Sequence, residues 1–372
     1  MRVTGDATRV LHLINGEFYA GAERVQDLLA LQLGRFGFEV EFACLKDGIF
    51  AEQRQAQGAA LHALPMKSRA DLSLCRRIAR IVRTERIGLV HTHTPRTALL
   101  GHLVARLARI PMIAHVHSPC ERDTEDGLRN VRNSLVEKFS LRGARRLIAV
   151  SNSLERHLLE RGFSDARICQ VPNGVPVSEQ LRRELAPGEE LRVGMVALFR
   201  PRKGVEVLLD AMSRLRACGV RTHLHAVGPF ETPEYERCVR EQACALGLDD
   251  SIVWRGFTSD VAAEFRHMHV FALPSLFGEG MPMVLLEAMA AGLPVISTQV
   301  EGIPQIVRHG QEGLLTEPGN PHGLADALLR FARREVDAAA MGDSGRERQR
   351  EHFSDVSMAA RVANIYREVL GS

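Results

Sequence analysis

The feature that most constrains this 372-residue chain is its steady alternation of short apolar runs with helical patterns. Val10–Ile14, Val40–Cys44, Leu89–His91, Met112–Val116 and Leu147–Val150 read as strands. Glu23–Phe36, Leu72–Glu85, Thr97–Ala108, Asn130–Leu141 and Leu154–Arg161 read as the helices between and after them. Such alternation implies a parallel sheet covered on both faces by helices. The rhythm breaks over residues 172–190, PNGVPVSEQLRRELAPGEE, where Pro, Gly and charge accumulate and a linker is expected. A second series then starts, with strands at Val193–Ala197, His223–Val227, Ile252–Trp254, Val270–Leu273 and Val295–Ser297. The expected fold is α/β, with two doubly wound parallel-sheet domains facing a central cleft. Residues 1–180 form one and residues 181–355 the other, while residues 356–372 form a helix that packs back on the first.

Composition narrows the function. Residues 1–180 hold 26 basic and 19 acidic side chains, a net +7, and the remaining residues hold 22 and 26, a net −4. Two domains with different ligands fit that asymmetry. Only four of the cations are Lys, and three Tyr with one Trp leave few platforms for stacking bases, so no nucleic-acid partner is expected. The seven cysteines are scattered without a C-x-x-C pair, which indicates buried thiols and neither a disulfide frame nor a zinc knuckle. No run of eighteen apolar residues occurs and MRVTGDATRV lacks a signal-peptide core, so the expected location is the cytosol, with the inner membrane face as a site of peripheral contact.

Two glutamates eight positions apart, Glu279 and Glu287, carry the chemistry. Gly280, Met281 and Pro282 follow the first, and Pro282 suits the opening turn of a helix over Val284–Ala291. Glu279 thus lies in the loop before a helix N-terminus, and Glu287 one to two turns inside. The N–H groups and positive dipole end between them suit a phosphate. Two carboxylates flanking a phosphate fit a ligand with a diphosphate centre and a hydroxyl-rich group on each side, as in a nucleotide-sugar.

Other unusual residues cluster where strands end, the usual ligand side of open parallel sheets. After the first strand comes NGEFYAGAER, with Gly16 and Gly21 before a helix; alone it reads as an ordinary glycine turn. Arg200, Arg202 and Lys203 of LFRPRKG fall at a helix start, where cations oppose the dipole unless a phosphate lies between. HTHTP and AHVHSP place His91, His93, His115 and His117 at two strand ends. Alternate strand residues share a face, so these His-x-His pairs also admit a metal-dependent hydrolase, without a matching set of Asp or Glu to support it.

In order along the chain, AGAERV, HTH, VHSP, AVSNSL, VPNGV, RPRKG, VWRGF and the Glu279-x7-Glu287 pair resemble the retaining GT-B glycosyltransferases of glycosyltransferase family 4. The resemblance spans nearly the whole chain and implies two Rossmann-like domains. It implies that Glu279 contacts the donor sugar's hydroxyls, that Glu287 holds the nucleotide ribose, and that the amides of Gly280 and Met281, next to Pro282, hold the sugar or its phosphate. Lys203 matches the lysine that neutralises the diphosphate, His117 the histidine near the reacting centre, Gly21 the N–H donor on the N-terminal side, and Gly256 of VWRGF the base-pocket strand. The family's usual Arg five positions before the Lys is Leu198 here, so Arg200 is the expected substitute. No metal and no cofactor is implied beyond the nucleotide-sugar co-substrate (a UDP- or GDP-sugar), and the acceptor class is a glycan or lipid-linked glycan. An epimerase acting on nucleotide-sugars shares the fold, but such enzymes usually lack the Glu-x7-Glu spacing. Finally, residues 129–146 place Leu135, Phe139 and Leu141 amid Arg129, Arg132, Lys138, Arg142, Arg145 and Arg146, the pattern of a basic amphipathic helix suited to an anionic membrane.

Overall fold

A computed structural model of the chain describes residues 7–68, 71–118 and 136–371. It divides into two compact units, Met1–Gly174 with Asp355–Ser372, and Val175–Ser354.

The first unit holds seven strands: β1 (Thr8–Ile14), β2 (Phe38–Cys44), β3 (Leu61–Ala63), β4 (Leu89–Thr92), β5 (Met112–Val116), β6 (Arg146–Ala149) and β7 (Ile168–Gln170). They lie in the order β3-β2-β1-β4-β5-β6-β7, each pair parallel. The order reverses direction at β1 and β4, the topological switch point beside which ligands bind in open sheets. The sequence explains the layering: β1, β4 and β5 are buried from end to end or nearly so, as strands covered on both faces must be. The Ser73–Thr84 helix shows the complementary pattern, burying Leu74, Cys75, Ile78, Ala79 and Val82 at helical spacing while its arginines stay out. The Pro95–Ala108 helix starts from a capping box, in which the Thr94 side chain accepts from the Thr97 amide.

The second unit repeats the plan with six parallel strands, β8 (Leu191–Val196), β9 (Thr222–Val227), β10 (Ile252–Gly256), β11 (Val270–Leu273), β12 (Val295–Thr298) and β13 (Gly313–Thr316). Their order is β10-β9-β8-β11-β12-β13, so the switch point lies between β8 and β11. Val193, Phe199, Leu208, Met212, Val270 and Ile296 are fully buried in its core.

Sequence reading located the longer strands of both units and most helices of the first, but in the second it named only the helix after Glu279, and it missed three short strands. β3 and β7 are half-exposed sheet edges with little apolar signal. β13 opens on Gly313, where a Cβ would sit 2.0 Å from the Val295 carbonyl oxygen, so the close strand approach requires a residue that weakens strand patterns. The expected helix Glu23–Phe36 is an α-helix over Gly21–Leu33 followed by a 3₁₀ turn over Gly34–Phe36, stopped by Gly37 at φ +87°. The terminal helix Asp355–Leu370 belongs to the first unit. Its Tyr366 is fully buried with its ring 5.1 Å from that of Phe38, and Asp355 accepts from Gln32 Nε2 at 2.7 Å.

Of the basic amphipathic segment, Arg129, Arg132 and Leu135 lie outside the described residues. Leu141 is only 3% exposed and belongs to the core, while Phe139 is half exposed and stacks on His102 at 5.1 Å. Arg146 pairs with Glu368 of the terminal helix. Among the described residues, no helix is long and apolar enough to cross a membrane.

Candidate functional site

In the second unit the loops after β8 and β11, the two switch-point strands, bring basic and acidic residues together. After β8 the chain runs through Arg200 into a 3₁₀ turn, Pro201–Lys203, closed by Gly204 at φ +71°. A Cβ on Gly204 would meet the Pro274 carbonyl oxygen at 2.2 Å, so only glycine lets this loop press against the segment after β11. A backbone bond from Leu276 N to Arg202 O, 2.8 Å, joins the two.

Glu279 is the focus of this junction. Its side chain is 5% exposed, and one carboxylate oxygen, Oε1, accepts from both Lys203 Nζ and Ser275 Oγ, the latter at 2.6 Å. Arg202 Nη1 stands 3.9 Å from the same oxygen and donates to the Gly278 carbonyl at 2.7 Å. Gly278, at φ +78°, makes room for it, since a Cβ there would sit 2.8 Å from that nitrogen. Thr298 Oγ1 donates to the Ser275 carbonyl at 2.6 Å, and Gly302 N to the Glu279 carbonyl at 3.0 Å, so the loop is tied down from both sides. Burial pushes the Lys203 ammonium below its usual pKa, while Glu279 pulls it back up and Arg202 and Arg200 lower it further.

Gly280, Met281 and Pro282 are all buried. Pro282 is the N-cap of a helix over Met283–Ala290, beginning one residue earlier than its sequence suggests, and it offers no side-chain cap. The positive end of that helix therefore lies directly behind Glu279. Glu287 sits half-buried in the middle of the same helix. Gly256 ends β10 at φ +72° and its carbonyl accepts from Gly228 N at 2.8 Å.

Arg200 and Arg202 are placed differently from each other. Arg200 Nη2 lies 3.5 Å from Glu231, a carboxylate 44% exposed, whereas Arg202 reaches the Glu279 loop. The sequence assigned the larger role to Arg200; the geometry sets Arg202 beside the Glu279 loop and Arg200 beside Glu231. Arg202→Ala is expected to lower turnover roughly ten- to a hundredfold, as loss of a charge-assisted hydrogen bond does, and Arg200→Ala by only a few-fold. Steady-state kinetics of both variants check this, and an equal or inverted ranking refutes it. Ser275 and Thr298 were missed by sequence reading because a hydroxyl four residues before Glu279, and another on β12, carry no motif of their own.

In the first unit, Gly21 is the first residue of the Gly21–Leu33 helix. Its φ is not left-handed and a Cβ there would meet nothing within 4 Å among the described residues. Local folding does not demand glycine at that exposed point. Gly16 differs, since at φ +85° a Cβ would strike the Cys44 sulfur at 2.0 Å.

The switch point of this unit collects five histidines. Strand pairing sets His12 on β1 directly beside His91 on β4. His91 stacks on His115 with ring centroids 5.5 Å apart, and His93 lies 5.1 Å from His115. His93 Nδ1 and His117 Nε2 are 3.0 Å apart, within hydrogen-bond reach. From the other side, the Tyr366 hydroxyl bridges His12 Nε2 at 3.0 Å and His91 Nδ1 at 2.6 Å. Burial lowers the pKa of His12 to about 3 and of His117 to about 4. His91, His93 and His115 are also pushed well below the imidazole range, by burial first and then by their histidine neighbours. All five are neutral at pH 7. His12 and Tyr366 were invisible as partners in the sequence, being 354 positions apart.

Comparison with known proteins agrees with this anatomy. The profile described as Glycosyltransferase Family 4 matches residues 19–179, and that described as Glycosyl transferases group 1 matches residues 190–334. A phosphatidyl-myo-inositol mannosyltransferase of Mycobacterium leprae is 32% identical over 292 residues, covering 76% of this chain and 74% of that protein. An N-acetyl-alpha-D-glucosaminyl L-malate synthase of Bacillus anthracis is 29% identical over 315 residues, 81% of this chain and 80% of its own. Among solved structures, Anabaena HepE in complex with UDP aligns with a TM-score of 0.84 at 19% identity, over 97% of this chain and 100% of that one. Sucrose-phosphate synthase from Thermosynechococcus elongatus aligns at 0.80 and 22%, over 98% and 99%, and both likenesses speak for the fold alone. With two switch-point sheets, a Glu279–Lys203 junction beside a helix start and these matches across both units, the chain belongs to glycosyltransferase family 4 and is a glycosyltransferase of GT-B fold.

Proposed function

We propose that the chain is a retaining, metal-independent glycosyltransferase that moves a sugar from a nucleoside-diphosphate sugar to a glycan or lipid-linked acceptor. The observation that carries this reading is the convergence of Lys203 and Arg202 on Glu279 at the start of the Met283–Ala290 helix. When the bond between the anomeric carbon and the diphosphate oxygen breaks, negative charge grows on the leaving group. Cations and amides already in place stabilise that charge as it develops, without having to reorganise. Lys203, held beside Arg202 and Arg200, and the amides of Gly280 and Met281 are assigned this task. Glu279, fixed by Ser275 and Lys203, is assigned to the sugar hydroxyls, Glu287 to the ribose and Gly256 to the base pocket. Gly21 and His117, on the first unit, are assigned to the phosphates and the reacting centre. The acceptor hydroxyl attacks the anomeric carbon from the face that the diphosphate leaves, and a departing phosphate oxygen takes the hydroxyl proton. Complexes of HepE with UDP and with UDP-glucose support a uridine donor for this architecture.

Two measurements test the reading. A thermal-shift panel of UDP, GDP, ADP and their sugars should single out one base, because a ligand at a hundred times its dissociation constant adds about 2.7 kcal/mol to the native state. Glu287→Ala should then bind that nucleotide, offered without sugar, roughly ten- to a hundredfold more weakly. Unchanged affinity in a folded variant removes Glu287 from the ribose.

The acceptor assignment draws on the net +7 of residues 1–180 and on the phosphatidyl-myo-inositol named for the M. leprae relative. It implies a reversible contact with anionic membrane, in which Leu141, being buried, takes no part. Co-sedimentation with anionic vesicles is expected at low salt and lost at high salt. No binding at low salt leaves a soluble glycan acceptor.

A further inference from the structure

The histidine cluster does more than the proposed transfer reaction requires. That reaction asks for one histidine, His117, whereas three imidazoles, of His93, His115 and His117, bring ligand nitrogens within 4.8 Å of one another. His93 Nδ1 and His117 Nε2, 3.0 Å apart, are near the spacing of two nitrogens on one ion, since bonds of about 2.0–2.1 Å at a tetrahedral angle separate them by roughly 3.4 Å. Both nitrogens of His115 are buried and have no hydrogen-bond partner among the described residues. A buried, unpartnered imidazole is costly unless something engages it. The described residues also leave a cavity of about 280 Å³ against the three, bordered by Asn15, Thr94 and Glu137. His117 is the least buried of the trio.

A second trio, His12, His91 and His93, is equally compact but is already spoken for, because Tyr366 holds His12 Nε2 and His91 Nδ1. His12 and His91 serve instead as the wall on which the first trio rests, with His91 stacked flat on His115 at an interplanar angle of 1°. Rigid support behind ligating imidazoles is what tightens a metal site.

We propose that His93, His115 and His117 form a site for one borderline divalent transition-metal ion, of the Zn²⁺, Co²⁺ or Ni²⁺ class, whose occupation inhibits the enzyme by engaging His117. Three imidazoles suit these ions and not Mg²⁺ or Ca²⁺, which take oxygen ligands. The ion is no participant in sugar transfer, so the site is compatible with metal-independent chemistry. Inhibition rests on the role proposed above for His117, whereas binding does not, and the two are measured separately.

The binding probe is Co²⁺, whose ligand-field absorption reports nitrogen coordination directly. Titration of the whole protein is expected to give a tetrahedral-type spectrum that saturates at about one equivalent and is displaced by Zn²⁺. The double variant His93→Gln/His117→Gln should bind roughly tenfold more weakly or worse, while His352→Gln, an exposed control, should bind as the wild type does. His117→Cys guards against a variant that merely misfolds: a thiolate in place of the imidazole keeps the site and adds a sulfur-to-cobalt charge-transfer band. No saturable spectrum in the wild type overturns the proposal, as does an unchanged spectrum in the double variant or a missing sulfur band in His117→Cys. Separately, micromolar Zn²⁺ should depress transferase turnover and EDTA restore it. Metal binding without inhibition would leave the site standing and remove His117 from the reacting centre.

Discussion

Lys203→Met is expected to lower turnover by about 10²- to 10³-fold, the loss seen when one pre-placed donor to a developing charge is removed. Methionine keeps most of the length and apolar bulk of the lysine stem and removes only the ammonium. Two consequences separate here. The diphosphate leaving group loses its nearest cation, which acts on kcat. Glu279 also loses a partner inside a site where its side chain is 5% exposed, which acts on stability. Breaking a buried ion pair from one side costs about 3–5 kcal/mol, because the remaining charge stays buried. Ser275 still donates to Glu279 and Arg202 Nη1 lies 3.9 Å away, so the cost should fall at the low end of that range. Steady-state kinetics read the first effect and urea melts the second. The companion Lys203→Met/Glu279→Gln should recover stability without recovering turnover, since it removes the orphaned charge but not the need for a cation. Near-normal turnover in folded Lys203→Met refutes the assignment of the basic loop.

Acidification below about pH 6 is expected to destabilise the first unit, through the five histidines of its switch point. The sign follows from the direction of the shifts. In the folded state His12 titrates near pH 3 and His117 near pH 4, with His91, His93 and His115 also well below the usual range. In the unfolded chain each titrates near 6.5. Above that value both states are neutral and the histidines place no proton-linked load on stability. As pH falls below it, the unfolded state takes up protons that the folded state refuses. Each histidine then costs up to ~1.4 kcal/mol per pH unit until its folded pKa is reached. At pH 5 this amounts to ~2 kcal/mol each for His12 and His117, a large share of the stability of a typical domain, and the other three act in the same direction. Chemical denaturation from pH 7.5 to 5 in chelator-containing buffer measures it. His115→Asn should flatten the slope by close to one proton, and stability that stays level down to pH 5 contradicts a neutral cluster.

Much of this was legible in residues alone, for a physical reason. A parallel strand covered on both faces must be apolar at nearly every position, so β1, β5, β8 and β11 announced themselves, and helices of the first unit showed their buried stripe. Proline and glycine mark backbone needs that are local: Pro282 heads its helix, and Gly204 allows the turn that seats Lys203. That Glu279 lies in a loop before a helix N-terminus was therefore readable from spacing.

The partners of these groups were not. Whether Arg200 or Arg202 reaches Glu279 depends on how a three-residue turn and its N-cap residue present their side chains, and like charges two positions apart look alike in a string. Ser275 and Thr298 act because β11 and β12 lie side by side, a strand order that local pattern does not encode. The two His-x-His pairs stood out, but not the neighbours that define their chemistry. His12 joins them through the β1–β4 pairing, and Tyr366 through a terminal helix that returns to the first unit. Periodicity records which face of an element is buried. What that face is buried against is decided by the burial of all the other faces together, and at this cluster that choice sets whether five imidazoles are charged or neutral.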